Sequence, residues 1–166
     1  MALPDPDDSI TTLSWGMSDE LLAGSGALTL FNTHGATEQI WTKQLANPVK
    51  FAHFSPDAEL IASTGRYDRL LKIWRRLAFG SADQRFDYHY LPHPQAITGI
   101  HWRRPLKDQT TDNVLYTICA DYKVRVWVPG EHHGLDGMHL WTEVDLLGSI
   151  EAGLVSQDKQ SQKRYA

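Results

Sequence analysis

The chain has 166 residues, of which 42% are hydrophobic and 22% charged, the mixture of a globular domain with a core and not of a disordered segment. A formal net charge of -4 offers phosphate no basic footprint, which argues against a nucleic-acid binder. The single cysteine, Cys119, allows no internal disulfide and fits a reducing compartment, and no run approaches the ~18 apolar residues of a membrane span.

The first eight residues, with Asp5, Asp7 and Asp8, have neither the basic start nor the apolar run of a signal peptide and read as an acidic, solvated tail. Ile10, Leu13 and Trp15 follow, apolar positions that close on an aromatic anchor; strands are predicted over 10–15, 21–24 and 28–31. Gly24-Ser25-Gly26 reads as a tight hairpin turn between the last two. The same spacing returns at Val49, Ala52 and Phe54, predicting strands over 49–54, 60–64 and 70–75, with Ser55-Pro56-Asp57 as the turn after the anchor. It returns again at Ile97, Ile100 and Trp102, predicting strands over 97–102, 114–119 and 123–128. Here the link after the anchor, Arg103 to Asn113, is longer and polar. In the closing runs Leu28/Leu30, Leu71/Ile73 and Val124/Val126 alternate with polar residues, the period of two that a strand requires.

Glu38–Thr42, Phe86–Tyr90 and His139–Val144 supply a fourth strand to each unit. Four short strands recurring at 43 residues (Phe31 to Trp74) and 53 residues (Trp74 to Trp127) describe the blades of a β-propeller, with no helix longer than a turn. The predicted fold is all-β, a partial propeller of about three four-stranded antiparallel blades within residues 1–147. The blades are read at about 8–31, 38–75 and 86–128 with a further strand at 139–146, and 148–166 as a polar C-terminal tail. Trp15, Phe54, Trp74, Trp102 and Trp127 are expected in the core beside Leu71, Ile73, Val124 and Val126. Three blades cannot close a ring, so open faces are expected to expose Leu13, Leu28 and Leu30 at one end and Leu140, Val144 and Leu146 at the other.

The segment from Phe54-Ser-Pro-Asp through Asp68-Arg-Leu-Leu-Lys-Ile-Trp74 resembles a WD repeat. His93, nine residues before Trp102, stands where that family has its Gly-His histidine, and Asp68 and Asp121, each six residues before a closing Trp, stand where it has its turn aspartate. The resemblance implies a structural network of His93, Asp121 and Trp127, with Asp68 and Trp74 as the counterparts in the middle repeat. A turn carboxylate would accept the imidazole N–H, and Thr117 or Cys119 would supply the hydroxyl-type member. A catalytic His–Asp pair is the sharper reading, but no nucleophile sits beside it at a strained turn. The middle repeat has Leu45 in the histidine's place, and the first lacks the aspartate by deletion.

More narrowly, Pro48-Val-Lys-Phe-Ala-His-Phe-Ser-Pro-Asp57, Tyr67-Asp-Arg-Leu-Leu-Lys-Ile-Trp74, Leu91-Pro-His-Pro-Gln-Ala-Ile-Thr-Gly-Ile-His-Trp102 and Val124-Arg-Val-Trp127 resemble the amino-terminal propeller region of the rabconnectin-3/DmX-like family. In fungi that family supplies the large subunit of the RAVE complex, which regulates the vacuolar proton ATPase. The resemblance covers roughly residues 3 to 147, and because family members are far longer the chain looks like a fragment or truncated product. It implies a non-enzymatic scaffold without cofactor or metal that promotes assembly of that ATPase and organelle acidification. The implied partners are subunits of the ATPase peripheral sector and a Skp-family adaptor. The implied location is cytoplasmic, peripheral to vacuolar or endosomal membranes.

Two surface segments hold the remaining candidates. Tyr88, His89 and Tyr90 form a candidate interaction surface, since aromatic side chains are enriched at contacts. Glu131-His132-His133-Gly134-Leu135-Asp136-Gly137-Met138-His139 gathers metal-ligand types, the basis of an alternative metal-dependent enzyme. A Gly-rich loop without cysteine fixes no ligand spacing, so a polar connection is the better account.

Overall fold

The computed structural model describes residues 9–79, 81, 84–105, 113–130 and 137–154. Among them, twelve strands form three four-stranded antiparallel sheets, each built from strands consecutive in the chain. The first blade holds β1 (Thr12–Trp15), β2 (Glu20–Gly24), β3 (Ala27–Asn32) and β4 (Glu38–Gln44). The second holds β5 (Val49–Phe54), β6 (Leu60–Gly65), β7 (Leu70–Arg76) and β8 (Phe86–Pro92). The third holds β9 (Ile97–Trp102), β10 (Leu115–Cys119), β11 (Lys123–Pro129) and β12 (Met138–Asp145). This is the partial, three-bladed propeller expected from the repeat, with strand limits within two residues of the predicted ones.

Two details differ from the sequence reading. The repeats group each fourth strand with the residues after it, whereas the sheets pair it with the residues before it: β4 bonds to β3, β8 to β7 and β12 to β11. A hairpin partner adjacent in sequence is the cheapest to bring into register, so the blades run 12–44, 49–92 and 97–145. Residues 146–154 form a helix, α1, where no helix was expected and the tail was drawn from 148. Its start is fixed by Asp145, whose Oδ1 accepts the Gly148 N–H at 3.0 Å in the manner of an N-cap. Leu146, Leu147, Ile150 and Leu154 recur at helical spacing, a period distinct from the alternation of the strands before them.

The core lies between blades, not within them. Each seam joins the rear face of one blade to the front face of the next. Leu22, Leu28, Leu30 and Trp41 on the rear of the first blade interlock with Val49, Ala52, Phe54, Ile61 and Trp74 on the front of the second. Ala62, Leu71, Ile73 and Leu91 on the rear of the second meet Ile97, Trp102, Leu115, Cys119 and Trp127 on the front of the third. Polar ties run along the same seams. Thr11 Oγ1 donates to Val49 O at 2.6 Å, and Phe54 N–H donates to Ser14 Oγ at 3.0 Å. Arg76 grips Glu20 with two bonds, the shorter 2.7 Å, and Asn113 donates to Asp57 at 2.7 Å.

This arrangement corrects the burial expected at one end. Phe54 and Trp102 are each 6% exposed because each reaches back onto the preceding blade. Phe54 covers Gly16, where an added Cβ would come within 2.9 Å of its ring, and the Trp102 indole N–H donates to His53 O at 3.0 Å. Trp15 occupies the equivalent position on β1 with no blade before it in the structure, and is 66% exposed instead of buried. Leu13 shares that face and is exposed, as expected. Leu28 and Leu30, expected at the open end, point to the rear and are fully buried against the second blade. At the other end Leu140, Val144 and Leu146 are exposed as expected, and Val124 is only half-buried.

Candidate functional site

The polar network of the third blade is a hydrogen-bond chain through a hydroxyl. β10 and β11 pair with Leu115 opposite Trp127 and Thr117 opposite Arg125, so the Trp127 indole lies along β10 toward Thr117. Trp127 Nε1–H donates to Thr117 Oγ1 at 2.9 Å, and Thr117 Oγ1 lies 2.9 Å from His93 Nε2. His93 Nδ1 lies 2.9 Å from Leu91 O. A carbonyl only accepts, so Nδ1 carries the proton, Nε2 accepts from the Thr117 hydroxyl, and the imidazole is neutral. Burial of His93 lowers its pKa below the ordinary histidine value, with the Leu91 carbonyl opposing that shift. Every polar atom of this buried chain is used, which leaves none to activate a nucleophile.

Asp121 is not the partner expected for His93. Both imidazole nitrogens are taken, and the carboxylate turns instead to Arg125, accepting from Nη2 at 2.6 Å and Nη1 at 3.2 Å, and from Lys123 N–H at 3.2 Å. Arg125, 5% exposed, also lies 3.3 Å from Glu143. The Arg125 hydrogen bonds hold the Asp121 pKa below the usual carboxylate range and raise that of Arg125. A buried guanidinium with five N–H donors outcompetes a neutral imidazole for a carboxylate. Arg125 is the residue that the family pattern, which reads only His, Asp and Trp, passed over.

The second blade keeps half of the chain. Trp74 Nε1–H donates to Ser63 Oγ at 2.8 Å, and with Leu45 in the histidine's place the relay stops there. Asp68 secures the β6–β7 turn, accepting from Gly65 N–H at 2.9 Å and Asn47 Nδ2 at 2.8 Å. The predicted residues thus divide within each blade: His93 and Trp127 join through Thr117 while Asp121 holds Arg125, and Trp74 bonds Ser63 while Asp68 holds the β6–β7 turn.

Tyr88 and Tyr90 stand together, but strand alternation sends His89 to the other face. There His89 Nε2 accepts from Met138 N–H of the third blade at 3.2 Å; burial, reinforced by Arg75, lowers its pKa. The two tyrosines extend an aromatic ladder across the seam between the first and second blades. Phe86 lies 4.9 Å from Trp41, Trp41 5.6 Å from Trp74, Trp74 5.0 Å from Tyr88 and Tyr88 5.6 Å from Tyr90, centroid to centroid. Lys72 Nζ sits over three of these rings at 5.5 to 5.7 Å. Above them opens a groove of about 470 Å³, rimmed by Asn47, Tyr67, Asp68, Arg69 and Tyr90. Half-exposed tyrosines beside a lysine held over aromatic rings suit an extended peptide with acidic groups. Trp41 and Lys72 were missed because the signal lies in pairing across strands, which sequence spacing does not display.

Of the 131–139 segment, residues 131–136 lie outside the described residues, as do Asp5, Asp7, Asp8, most of the Arg103–Asn113 link and residues 155–166. Among the described residues no three His, Cys, Asp or Glu side chains are placed to hold a metal ion. None of the described helices is long and apolar enough to cross a membrane.

No protein-family model matches the chain. It is 31% identical over 149 residues, 84% of its length, to the Saccharomyces cerevisiae regulator of V-ATPase in vacuolar membrane protein 1. It is 31% identical to mouse DmX-like protein 1 over 92% of its length and 32% identical to human DmX-like protein 1 over 72%. The chain spans only 11%, 6% and 5% of the lengths of these relatives.

Proposed function

We propose, because the chain belongs to the rabconnectin-3/DmX-like family, that it is a non-enzymatic, WD-repeat interaction scaffold in the regulation of a vacuolar-type proton ATPase. The observation that carries this reading is the 31% identity, over 84% of the chain, to a yeast protein named as a regulator of that ATPase. The geometry supports a binding role. The buried His93 and Arg125 and the half-buried Asp121 are consumed by structural bonds, while Tyr88 and Tyr90 stand exposed.

The partners are subunits of the peripheral ATPase sector, with a Skp-family adaptor as a companion in a RAVE-type complex. The location is cytoplasmic, peripheral to vacuolar or endosomal membranes and reached through those partners. The action is bridging: several weak contacts in one complex raise the effective concentration of ATPase parts that must rejoin. The groove lined by Lys72 and Tyr90, with Tyr88 beside it, is the contact assigned to this chain, and Lys72 sets its preference for acidic segments.

The test is retention of purified peripheral-sector complex on the immobilised chain. Wild type should retain it, and the Tyr88→Ala/Tyr90→Ala/Lys72→Ala variant should lose most of that retention while keeping its circular dichroism spectrum. Absence of retention by wild type would overturn the reading; equal retention by both would move the contact elsewhere on the surface.

A further inference from the structure

Strand register aligns the second and third blades position by position. In the third, Thr117, Arg125 and Glu143 lie side by side across β10, β11 and β12. In the second, Ser63, Lys72 and Tyr90 form the same row across β6, β7 and β8. In both blades the row lies two residues along from the pair made by the closing tryptophan, Leu115 with Trp127 and Ile61 with Trp74.

The third blade satisfies its row from within. Arg125 meets Asp121 at 2.6 Å and Glu143 at 3.3 Å, and the Thr117 hydroxyl donates to His93 Nε2 at 2.9 Å. The second blade offers its own row none of these acceptors. Tyr90 stands in the place of Glu143 and Leu45 in that of His93. Asp68, the counterpart of Asp121, turns away to Gly65 N–H and Asn47 Nδ2. Two donors are left over. Ser63, only 1% exposed, accepts from Trp74 Nε1–H at 2.8 Å, but its own hydroxyl proton reaches no acceptor among the described residues. Lys72 Nζ forms no ion pair or hydrogen bond among the described residues and is held over the rings of Trp74, Tyr88 and Tyr90. A buried hydroxyl proton without an acceptor costs stability that a bound acceptor would restore.

Both donors belong to residues that line the groove of about 470 Å³, as does Leu45. Its walls are the β4–β5 link and the β6–β7 turn, so the opening lies between blades that are both present and owes nothing to either end of the chain. The charged side chains lining it are Lys72, Arg69 and Asp68, two cations against one carboxylate whose oxygens are already engaged.

We propose that Ser63 and Lys72 form a seat for one carboxylate of a partner, a glutamate or aspartate side chain in an extended peptide segment. One carboxylate oxygen accepts from Lys72 Nζ and the other from the Ser63 hydroxyl, so the partner supplies what Asp121, Glu143 and His93 supply in the third blade. The occupant follows from charge complementarity and from that internal template. It rests on the reading of this groove as the contact of the chain, and it makes Ser63, with Lys72, the determinant of what the groove accepts.

NMR titration of the full chain tests it, using a short alanine-rich peptide with one central glutamate and its glutamine and phosphoserine twins. The glutamate peptide should shift the amide signals of Ser63, Gly65 and Lys72. The glutamine twin should bind more than about tenfold more weakly, having lost the charge that strengthens both hydrogen bonds. Lys72→Met keeps an apolar stem over the rings and should bind the glutamate and glutamine peptides equally. Ser63→Ala removes the second donor and should weaken glutamate binding about tenfold, with circular dichroism unchanged. Tyr90→Glu gives the row the carboxylate that the third blade has in Glu143 and should weaken it as much, whereas Phe79→Glu, the same charge outside the groove, should not. These titrations contain no ATPase subunit, so failure of the seat is read apart from failure of the partner assignment. Equal binding of the glutamate and glutamine peptides by wild type would overturn the proposal. So would a phosphoserine peptide bound more than about tenfold tighter, or a Lys72→Met, Ser63→Ala or Tyr90→Glu variant that binds glutamate as wild type does.

Discussion

Thr117→Val probes the relay of the third blade with almost no change of volume. The hydroxyl is fully buried and serves two groups, accepting from Trp127 Nε1–H and donating to His93 Nε2. Valine supplies neither function, so a buried indole donor and a buried imidazole acceptor both lose their partner. Each orphaned polar group costs about 1–3 kcal/mol. Relaxation between the two neighbours makes the sum less than additive, and the expected loss is about 2–4 kcal/mol. Adding His93→Leu recreates the arrangement of the second blade, where Leu45 stands in that place, and removes one of the two orphans. The double variant should therefore be destabilised by less than the sum of the singles, with a coupling of about 1 kcal/mol. Urea unfolding at one fixed protein concentration, followed by tryptophan fluorescence, gives the free energies, since association would otherwise shift the midpoint. A Thr117→Val loss under about 0.5 kcal/mol, or strict additivity with His93→Leu, would refute the relay.

Trp74→Ala removes an indole packed edge-on against Trp41 and should cost about 3–5 kcal/mol in the same assay, opening the first seam. Asp121→Ala leaves the buried Arg125 with Glu143 at 3.3 Å as its remaining ion-pair partner, and should cost about 1–3 kcal/mol while lowering the His93 pKa measured by NMR, because the Asp121 carboxylate is one of the groups that raises it. Stability should fall as pH drops below 6.5, the ordinary histidine value. His53, His89 and His93 all have folded pKa values lowered by burial, so the unfolded chain binds more protons in that window and protonation favours unfolding. A curve of unfolding free energy against pH that stays flat from 7 down to about 5 would contradict this.

The strand pattern was legible because each repeat writes the same apolar spacing, and β5, at 49–54, and β9, at 97–102, match the predicted limits residue for residue. What the spacing leaves out is direction. Period-two alternation says that Leu28 and Leu30 share a face, but not whether that face meets the blade before or the blade after. The same gap explains Trp15, whose hydrophobicity marks it as an anchor while its burial depends on a sheet it does not belong to. At the candidate site, His93 and Trp127 were identified by motif and do join one chain, through Thr117. Asp121 was assigned the wrong partner because Arg125, two strand positions from Trp127 and facing the same side, competes for it, and charge competition between neighbours has no sequence signature.

The three blades carry graded versions of the same polar device, and the grading shows what the device is for. The third has the full relay His93–Thr117–Trp127, the second only Ser63–Trp74, and the first has Phe31 at the closing position, which can donate no such bond. Yet β1 to β4 of the first blade form as regular a ladder as the others, so the relay is not needed to pair strands. The apolar seams are present at both junctions irrespective of the relay, with Leu22, Leu28 and Leu30 as buried at the first as Leu71 and Ile73 are at the second. Cohesion therefore resides between blades, as in nearest-neighbour assemblies generally, and the relay fixes where an indole already driven inward by its own area must point. On that reasoning Phe31→Trp should not stabilise the first blade. Leu21 pairs with Phe31 as Ile61 does with Trp74 and Leu115 with Trp127, and two positions along the strand Ala23 stands where those blades have Ser63 and Thr117, so the added indole N–H would find no hydroxyl there. A gain in unfolding free energy for that variant would show that packing area alone sets the strength of a blade.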